Sequence, residues 1–193
     1  MGFYDSEDNV ETYLAMAEGY DGAGLIDILK RYLPTGSSVL ELGMGPGKDL
    51  DLMRPFFSVT GSDTSRVFLD RYRKTHPDAD VLLLDAVHLD TERTFDCIYS
   101  NKVLHHLTRA DLEASLQRQK AVLRDGGLLM HSFWYGTGEE TMHGLRFTYY
   151  TEATLRDVVG EAFDVLALER FQEMEDGDSL YVLLRKRHVA SGQ

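Results

Sequence analysis

Three glycines at alternate positions dominate the chemistry that this sequence offers. Gly43, Gly45 and Gly47 follow a short apolar run, residues 39–42, and precede a stretch that can begin a helix. Glycine adopts backbone conformations closed to other residues and lets a ligand lie against the main chain. The spacing differs from the dinucleotide pattern G-x-G-x-x-G and from the P-loop, which needs Ser or Thr after Gly-Lys. A strand, this turn and a helix in succession indicate a ligand-binding loop, with a plain tight turn as the alternative.

Polar residues stand at the ends of the neighbouring predicted strands. Asp63 ends the second strand, about 20 residues beyond the glycine turn, where a doubly wound fold places its acceptor for ribose hydroxyls. Asp85 ends the third strand, and Ser100 and Asn101 end the fourth. The carboxyl edge of an open α/β sheet is where its ligands bind. A helix cap at Asp63 and a loop carboxylate at Asp85 are the alternative interpretations.

The segment from Glu41 to Gly47, E-x-G-x-G-x-G, resembles motif I of class I S-adenosylmethionine-dependent methyltransferases. The run V-L-H-H-L at 103–107 is similar to a frequent continuation in that family, and the resemblance covers about residues 39–134. It implies S-adenosylmethionine as cofactor and S-adenosylhomocysteine as product. The implied contacts are Glu41 with the turn or the cofactor ammonium, Gly43, Gly45 and Gly47 with the amino-acid end, Asp63 with ribose, Asp85 and Ala86 with adenine, and Ser100 and Asn101 at the strand edge.

Methyl transfer from a sulfonium needs mainly an in-line approach of the acceptor, and a general base only if the acceptor loses a proton. No catalytic residue is therefore assigned, and His105 and His131 are the candidates for such a base. His105 and His106 are adjacent, and a structural pair is the alternative interpretation. No His or Cys spacing resembles a zinc site, so no metal is expected.

The acceptor side is expected to be aromatic. Residues 133–150 combine aromatic side chains with three glycines, a composition that suits a mobile lid, although packing of the sheet edge explains it equally well. Trp134 and Tyr135 from this segment, and Tyr13 and Tyr20 from the predicted N-terminal helices, are the candidate acceptor residues.

Composition narrows the class of protein. The chain has 193 residues, which suits one domain, and a net charge of −12, which repels phosphate backbones and favours a small-molecule acceptor over nucleic acid. No apolar run approaches the roughly 20 residues of a membrane span. The first nine residues lack a secretory signal, and the lone Cys97 excludes a disulfide framework, so a cytoplasmic location is expected. No feature of the sequence sets the oligomeric state.

Strand and helix patterns alternate along the chain and predict a parallel α/β sheet finished by an antiparallel hairpin. The resemblance orders its seven strands 3-2-1-4-5-7-6. A single domain is expected, with cap helices in 1–34, a cofactor-binding core in 35–135, and an acceptor-side loop and hairpin in 136–187. The predicted helices are 10–20, 24–33, 48–55, 65–75, 109–123 and 151–159, and the predicted strands are 38–42, 57–62, 80–84, 94–100, 126–133, 165–171 and 180–184.

Two other functions share parts of this pattern. A nicotinamide-dependent short-chain oxidoreductase has a glycine turn and a ribose carboxylate, but it needs a Tyr four residues before a Lys, and none of the ten tyrosines has one. A non-catalytic S-adenosylmethionine-binding module is compatible with the same sequence, because methyl transfer depends mostly on geometry.

Overall fold

A seven-stranded sheet forms the centre of the protein. The computed structural model describes residues 6–16, 19 and 21–187. The strands are β1 Ser38–Leu42, β2 Ser58–Asp63, β3 Val81–Leu83, β4 Phe95–Asn101, β5 Leu123–Trp134, β6 Glu139–Met142, β7 Leu145–Thr148, β8 Phe163–Phe171 and β9 Ser179–Lys186. The helices are α1 Glu7–Met16, α2 Ala23–Leu29, α3 Lys48–Met53, α4 Arg66–Thr75, α5 Arg109–Val122 and α6 Glu152–Val159, and a 3₁₀ turn spans Leu104–His106.

The strand order is β3-β2-β1-β4-β5-β9-β8, with β6 and β7 in a separate two-stranded sheet. β1 to β5 run parallel, whereas β9 pairs antiparallel with both β5 and β8. The predicted fold class is therefore confirmed, because the extra hairpin only renumbers the last two strands. Parallel strands connected by helices bring the ends of β1, β2, β4 and β5 to one edge, where the site must lie.

Alternate residues of the central strands face opposite layers of helices. Leu40, Ile98 and Leu129 point to the side covered by α5 and α6, and Val39 and Cys97 point to the side covered by α2. Both faces are apolar, as expected of a parallel sheet buried on two sides. These two layers fix the strand register and hence the side to which each polar residue at the carboxyl edge points.

Several boundaries differ from the predicted ones. β5 begins at Leu123, before the glycine pair that was expected to precede it, and the chain accommodates Gly126 at φ 71° beside an irregularity in the β4–β5 pairing. α2 ends at Leu29, because a short turn and Pro34 follow. The β6–β7 hairpin lies where the sequence predicts a loop. α1 ends at Met16, while Tyr20 and the side chain of Tyr13 lie outside the described residues.

Local signals explain the helix starts. Thr108 caps α5, since its hydroxyl accepts a hydrogen bond from the Asp111 backbone N–H and donates one to the Asp111 carboxylate at 2.7 Å. Thr151 and Thr154 form a reciprocal capping box at α6. Within the part of the chain that the structure describes, no helix has the length and apolarity to cross a membrane.

Candidate cofactor and acceptor site

The glycine turn joins β1 to α3 at the carboxyl edge of the sheet. Gly43, Gly45 and Gly47 have φ values of 65°, 50° and 87°, which side chains disfavour. A Cβ on Gly43 would lie 2.6 Å from Val103 Cγ1, and one on Gly47 would lie 2.3 Å from Tyr72 Cε2. The packing of the protein itself therefore requires glycine at positions 43 and 47, whether or not a ligand binds against the turn.

Asp63 ends β2 directly beside the turn. Its carboxylate accepts hydrogen bonds from the backbone N–H of Gly45 at 2.9 Å and of Ser65 at 2.8 Å. Burial raises the pKa of this carboxyl, and the backbone hydrogen bonds oppose that shift. The cap of α4 is Ser65, whose Oγ accepts from the Phe68 N–H. Asp63 therefore fixes the turn, and its expected contact with a ribose stays a prediction.

Glu41 lies beneath the turn and is 4% exposed. Its Oε2 has no hydrogen-bond partner among the described residues. Burial raises the pKa of Glu41 well above its usual range, and the neighbouring carboxylates of Asp49, Asp63 and Asp51 raise it further. A buried carboxylate oxygen without a partner fits a cationic ligand group, such as the ammonium of S-adenosylmethionine.

A second buried carboxylate, which the sequence interpretation missed, organises the same edge. Asp49 Oδ1 accepts from the Gly22 N–H at 2.7 Å, and Oδ2 accepts from Tyr99 Oη at 2.7 Å and Asn101 Nδ2 at 3.1 Å. A Cβ on Gly22 would lie 2.3 Å from this carboxylate. Asp49 thus ties the segment before α2 and the end of β4 to the first turn of α3. The available signal was an acidic residue directly after the Gly-Lys pair.

The adenine-side candidates follow β3. Asp85 is half-exposed, and its Oδ1 accepts from the backbone N–H groups of Val87 at 2.8 Å and His88 at 3.0 Å. Burial acts to raise the pKa of Asp85, but the hydrogen bonds from His88 and Val87 outweigh it and the pKa is lowered. The carbonyl of Ala86 accepts from Ser115 Oγ. Asp85 therefore shapes its own loop, and both expected adenine contacts stay predictions.

Ser100 and His131 belong to a buried polar chain on the α5 side of the sheet. Ser100 Oγ lies 2.8 Å from His131 Nδ1, His131 Nε2 lies 2.8 Å from Gln119 Oε1, and Gln119 Nε2 donates to Ser115 Oγ at 3.0 Å. Because the Gln119 oxygen only accepts, His131 carries its proton on Nε2 and Ser100 donates to Nδ1. Burial lowers the pKa of His131 to about 3.

This buried polar network includes two predicted site residues. Both ring nitrogens of His131 are hydrogen-bonded, and the Ser100 side chain is fully buried. Strand alternation explains the orientation of Ser100: Tyr99 and Asn101 point towards Asp49, so Ser100 between them must point to the opposite face. The catalytic role of His131 and the cofactor contact of Ser100 stay predictions. Asn101 keeps its predicted position at the site.

Comparison with known proteins identifies the family. A model of the family described as "Methyltransferase domain" matches residues 16–186. The chain belongs to this methyltransferase family. The trans-aconitate 2-methyltransferase of Variovorax paradoxus (strain S110) is 31% identical over 134 residues, 67% of this chain and 51% of that protein. A tRNA (carboxymethyluridine(34)-5-O)-methyltransferase of Arabidopsis thaliana is 30% identical over 66% of this chain and 31% of that protein. The chain thus spans between a third and a half of the length of these relatives.

Solved structures show the same fold at low identity. A 1,6-didemethyltoxoflavin-N1-methyltransferase from Burkholderia thailandensis superposes with a TM-score of 0.78 at 22% identity, covering 94% of this chain and 86% of that one. The N-methyltransferase NodS from Bradyrhizobium japonicum WM9, solved with S-adenosylhomocysteine, has a TM-score of 0.73 at 17% identity, covering 95% and 100%. The fold of this methyltransferase domain is therefore that of class I S-adenosylmethionine-dependent enzymes.

His105 is the second histidine among the predicted catalytic candidates. It is 2% exposed, and neither ring nitrogen has a partner among the described residues. The ring stacks on Phe147 of β7 at 5.2 Å between centroids, and burial lowers its pKa well below the usual range. The neighbouring His106 bonds the carbonyl of Arg146 through Nδ1 at 2.6 Å, which fits the structural interpretation of the pair. A catalytic role for His105 stays a prediction.

Lys102 follows Asn101 with φ 55°, a left-handed conformation that is uncommon outside glycine. Its Nζ lies 3.4 Å from the centroid of the Trp134 ring, 3.4 Å from Glu173 Oε2, and within hydrogen-bond distance of Ser179 Oγ. Burial lowers the pKa of Lys102 to about 8, and Glu173 opposes that shift. An ammonium is therefore held in an aromatic and acidic cage beside the site.

The aromatic segment 133–150 is largely packed against the protein. Phe133 and Tyr150 are buried together with centroids 5.1 Å apart, and the Arg170 guanidinium lies 3.6 Å from the Tyr135 ring centroid. Trp134 covers Lys102. These contacts favour packing over a freely mobile lid, and the acceptor contacts expected of Trp134 and Tyr135 stay predictions. Among the described residues, no group of three or more His, Cys, Asp or Glu has the arrangement of a metal site.

Proposed function

We propose that this chain transfers the methyl group of S-adenosylmethionine to a small-molecule acceptor and releases S-adenosylhomocysteine. The observation that carries the proposal is the buried, unpartnered carboxylate oxygen of Glu41 beneath the glycine turn of a methyltransferase-family sheet. Glu41, the three glycines, Asp63, Asp85, Ala86 and Asn101 would hold the cofactor. When bound, it supplies a methyl group already activated by the positive sulfur.

The residues at the site would bind and orient rather than perform acid–base chemistry. Asp63 fixes the turn through the Gly45 N–H, and Asp49 ties the start of α3 to Gly22, which supports a site ordered before the cofactor binds. His105 would act as a base only if the acceptor loses a proton during transfer. A small-molecule acceptor is supported by the net charge of −12, which opposes phosphate backbones.

The proposal also covers the location, the domain organisation and the alternative functions. The lone Cys97 is buried, which agrees with a cytoplasmic location. A family match over residues 16–186 supports one domain, and the subdivisions 1–34, 35–135 and 136–187 stay part of the proposal. The family assignment removes the nicotinamide-dependent oxidoreductase as an alternative, while a non-catalytic binding module is an outcome that experiment must separate.

The test is calorimetric titration of the protein with S-adenosylmethionine, S-adenosylhomocysteine and NAD. We expect micromolar binding of both adenosyl ligands and no binding of NAD. A screen of acceptors for production of S-adenosylhomocysteine follows, with trans-aconitate included because a relative is named for it. Binding of NAD alone, or of no ligand, would refute the proposal, and binding without turnover of any acceptor would favour the non-catalytic module.

A further inference from the structure

A cavity of about 440 Å³ opens between α2 and the turn that joins β8 to β9. Its walls include Leu25 and Ile28 from α2, and Phe171, Glu173 and Tyr181 from the C-terminal strands and their turn. Asp21, which precedes α2, also lines the cavity. The volume falls in the range of about 300–1,000 Å³ typical of small-ligand sites. Apolar and aromatic walls with a few polar groups are the usual lining of such sites.

Among the described residues that line the cavity, every charged side chain is acidic. Asp21 and Glu173 are the charged groups, and no Lys or Arg belongs to the lining. The Glu173 side chain is only 12% exposed, and burial raises the pKa of its carboxyl, whereas Lys102 opposes that shift. This carboxylate is poorly hydrated and is paired with Lys102 Nζ at 3.4 Å, so a cationic ligand group would share it with that lysine.

The aromatic rings match the same kind of ligand. Phe171 and Tyr181 lie side by side with centroids 6.3 Å apart and an angle of 54° between their planes. The faces of aromatic rings attract ammonium groups, and the combination of rings with carboxylates is the usual way to bind an amine. Carboxylate or phosphate ligands would be repelled by both features.

Lys102 shows how this part of the protein binds an ammonium. Its Nζ contacts Glu173 at 3.4 Å and lies 5.4 Å from the centroid of the Phe171 ring. Both residues also line the cavity, so they offer to a ligand the same chemistry that they offer to the lysine. The Lys102 side chain itself is not part of the lining.

Two connections link the cavity to the cofactor edge. On one side, the Gly22 N–H, next to Asp21, donates to Asp49 at the start of α3. On the other side, Glu173 pairs with Lys102, which follows Asn101, and Asn101 donates to the same Asp49 carboxylate. Both walls are thus attached, through Asp49, to the start of α3, which follows the glycine turn.

We propose that this cavity receives the methyl acceptor and that the acceptor is a primary or secondary amine with a ring or short apolar chain. This inference rests on the proposed function. The amine would bind through Glu173 and Asp21, with its apolar part against Leu25, Ile28 and the two rings.

The reaction at such an acceptor balances without a further reagent. The bound ammonium first releases one proton to water, and the lone pair of the resulting neutral nitrogen then forms the new N–C bond to the methyl group. The C–S bond breaks with its electrons remaining on sulfur, so the sulfonium donor becomes the neutral thioether. The methylated nitrogen carries the positive charge and then releases a proton to water. Glu173 and Asp21 stabilise the cationic product and need not exchange a proton.

The test compares three ring-containing probes of similar size in the presence of saturating S-adenosylhomocysteine. These are phenethylamine, 2-phenylethanol and 3-phenylpropionate, which differ in being cationic, neutral and anionic. We expect phenethylamine to bind about ten-fold more tightly than the alcohol, as one charge-assisted contact provides, and the carboxylate to bind least. Equal binding of the three probes, or tighter binding of the carboxylate, would overturn the inference.

Matched variants locate the site. Glu173→Gln and Asp21→Asn keep size and hydrogen bonding but remove a charge, and each should reduce the preference for phenethylamine about five-fold. Asp21→Asn does not involve Lys102, so it separates loss of the ligand contact from loss of the ion pair. Glu175→Gln, an exposed residue of the same turn, is the control and should change nothing. An unchanged preference in both charge-removing variants would place the amine elsewhere and refute this site.

The titration with S-adenosylhomocysteine separates the two proposals. If the protein binds it but does not prefer the amine, the acceptor inference fails while the methyltransferase proposal stands. If the protein does not bind it, the proposed function fails, and the acceptor inference fails with it. Production of S-adenosylhomocysteine from S-adenosylmethionine with a panel of amines, but not with alcohols of the same shape, would support both proposals.

Discussion

At the scale of single residues, Asp63 accepts a hydrogen bond from the Gly45 N–H and is predicted also to bind a ribose hydroxyl. We predict that Asp63→Ala weakens binding of S-adenosylhomocysteine by about 1–3 kcal/mol, because a charged acceptor is lost and the turn is loosened. Asp63→Asn should lose less, since its amide oxygen still accepts from one N–H. The measurement is calorimetric, with Asp78→Ala, an exposed aspartate in the loop before β3, as control. Unchanged affinity in Asp63→Ala would move the ribose contact to another residue.

Replacing Glu41 by Gln should stabilise the ligand-free protein but weaken its binding of S-adenosylhomocysteine. Its pKa is raised by burial, so its contribution to stability is fully present below the unfolded-state pKa and is lost as pH rises through the folded-state pKa. We predict that Glu41→Gln raises the melting temperature of the ligand-free protein at pH 7–8, by about 2–4 °C for each kcal/mol gained. The same variant should weaken S-adenosylhomocysteine binding, because the carboxylate for the ammonium is gone.

The comparison for Glu41→Gln is Glu92→Gln, an exposed glutamate that should alter neither property. Thermal melts between pH 4 and 8, with and without ligand, measure both effects. Lower stability of ligand-free Glu41→Gln at pH 7–8 would show that the charged form is stabilised by a contact within the protein, and would contradict the assignment to a cationic ligand.

At the scale of elements, the β6–β7 hairpin acts as the cover of His105. Phe147 stacks on the imidazole, Thr148 Oγ1 donates to the Leu107 carbonyl at 3.1 Å, and His106 bonds the Arg146 carbonyl. We predict that Phe147→Ala raises the pKa of His105 towards its ordinary value, because water reaches the ring. An NMR titration of the imidazole signals measures this shift. The control is Arg146→Ala, which removes a surface ion pair with Glu139 but keeps the ring stack, so it should leave the pKa of His105 unchanged. If both variants shifted the pKa of His105 by a similar amount, the hairpin would not act as its cover.

The sheet was predictable from sequence because its strands are short apolar runs separated by clear turn and helix signals. The β6–β7 hairpin was not predictable, since its strands have only four residues each and none of these residues is buried. At the site, the turn and Asp63 were predictable from spacing. Asp49 and Gly22 were not, because their contact joins residues far apart in the chain. The orientation of Ser100 depends on strand register, which the sequence did not specify.

At the scale of the whole molecule, a net charge of −12 should decide between acceptor classes. One relative is named as a tRNA methyltransferase, so tRNA is the nucleic acid to test. Binding of a polyanion requires clustered Lys and Arg, and it weakens steeply as salt displaces the condensed counterions. We predict no complex with unfractionated tRNA at about 10 µM protein and 0.15 M salt, and no transfer of labelled methyl groups to it.

A gel-shift assay and a filter-binding assay with labelled S-adenosylmethionine measure the two outcomes. A variant that replaces exposed Asp176 and Glu175 of the β8–β9 turn with lysine is the positive comparison, since it changes the net charge from −12 by four units and should bind tRNA more strongly at low salt. Methyl transfer to tRNA by the unaltered protein at 0.15 M salt would contradict the small-molecule proposal directly. Salt-sensitive binding of tRNA without methyl transfer would not contradict that proposal, because such binding is electrostatic and does not involve the methyl-transfer site.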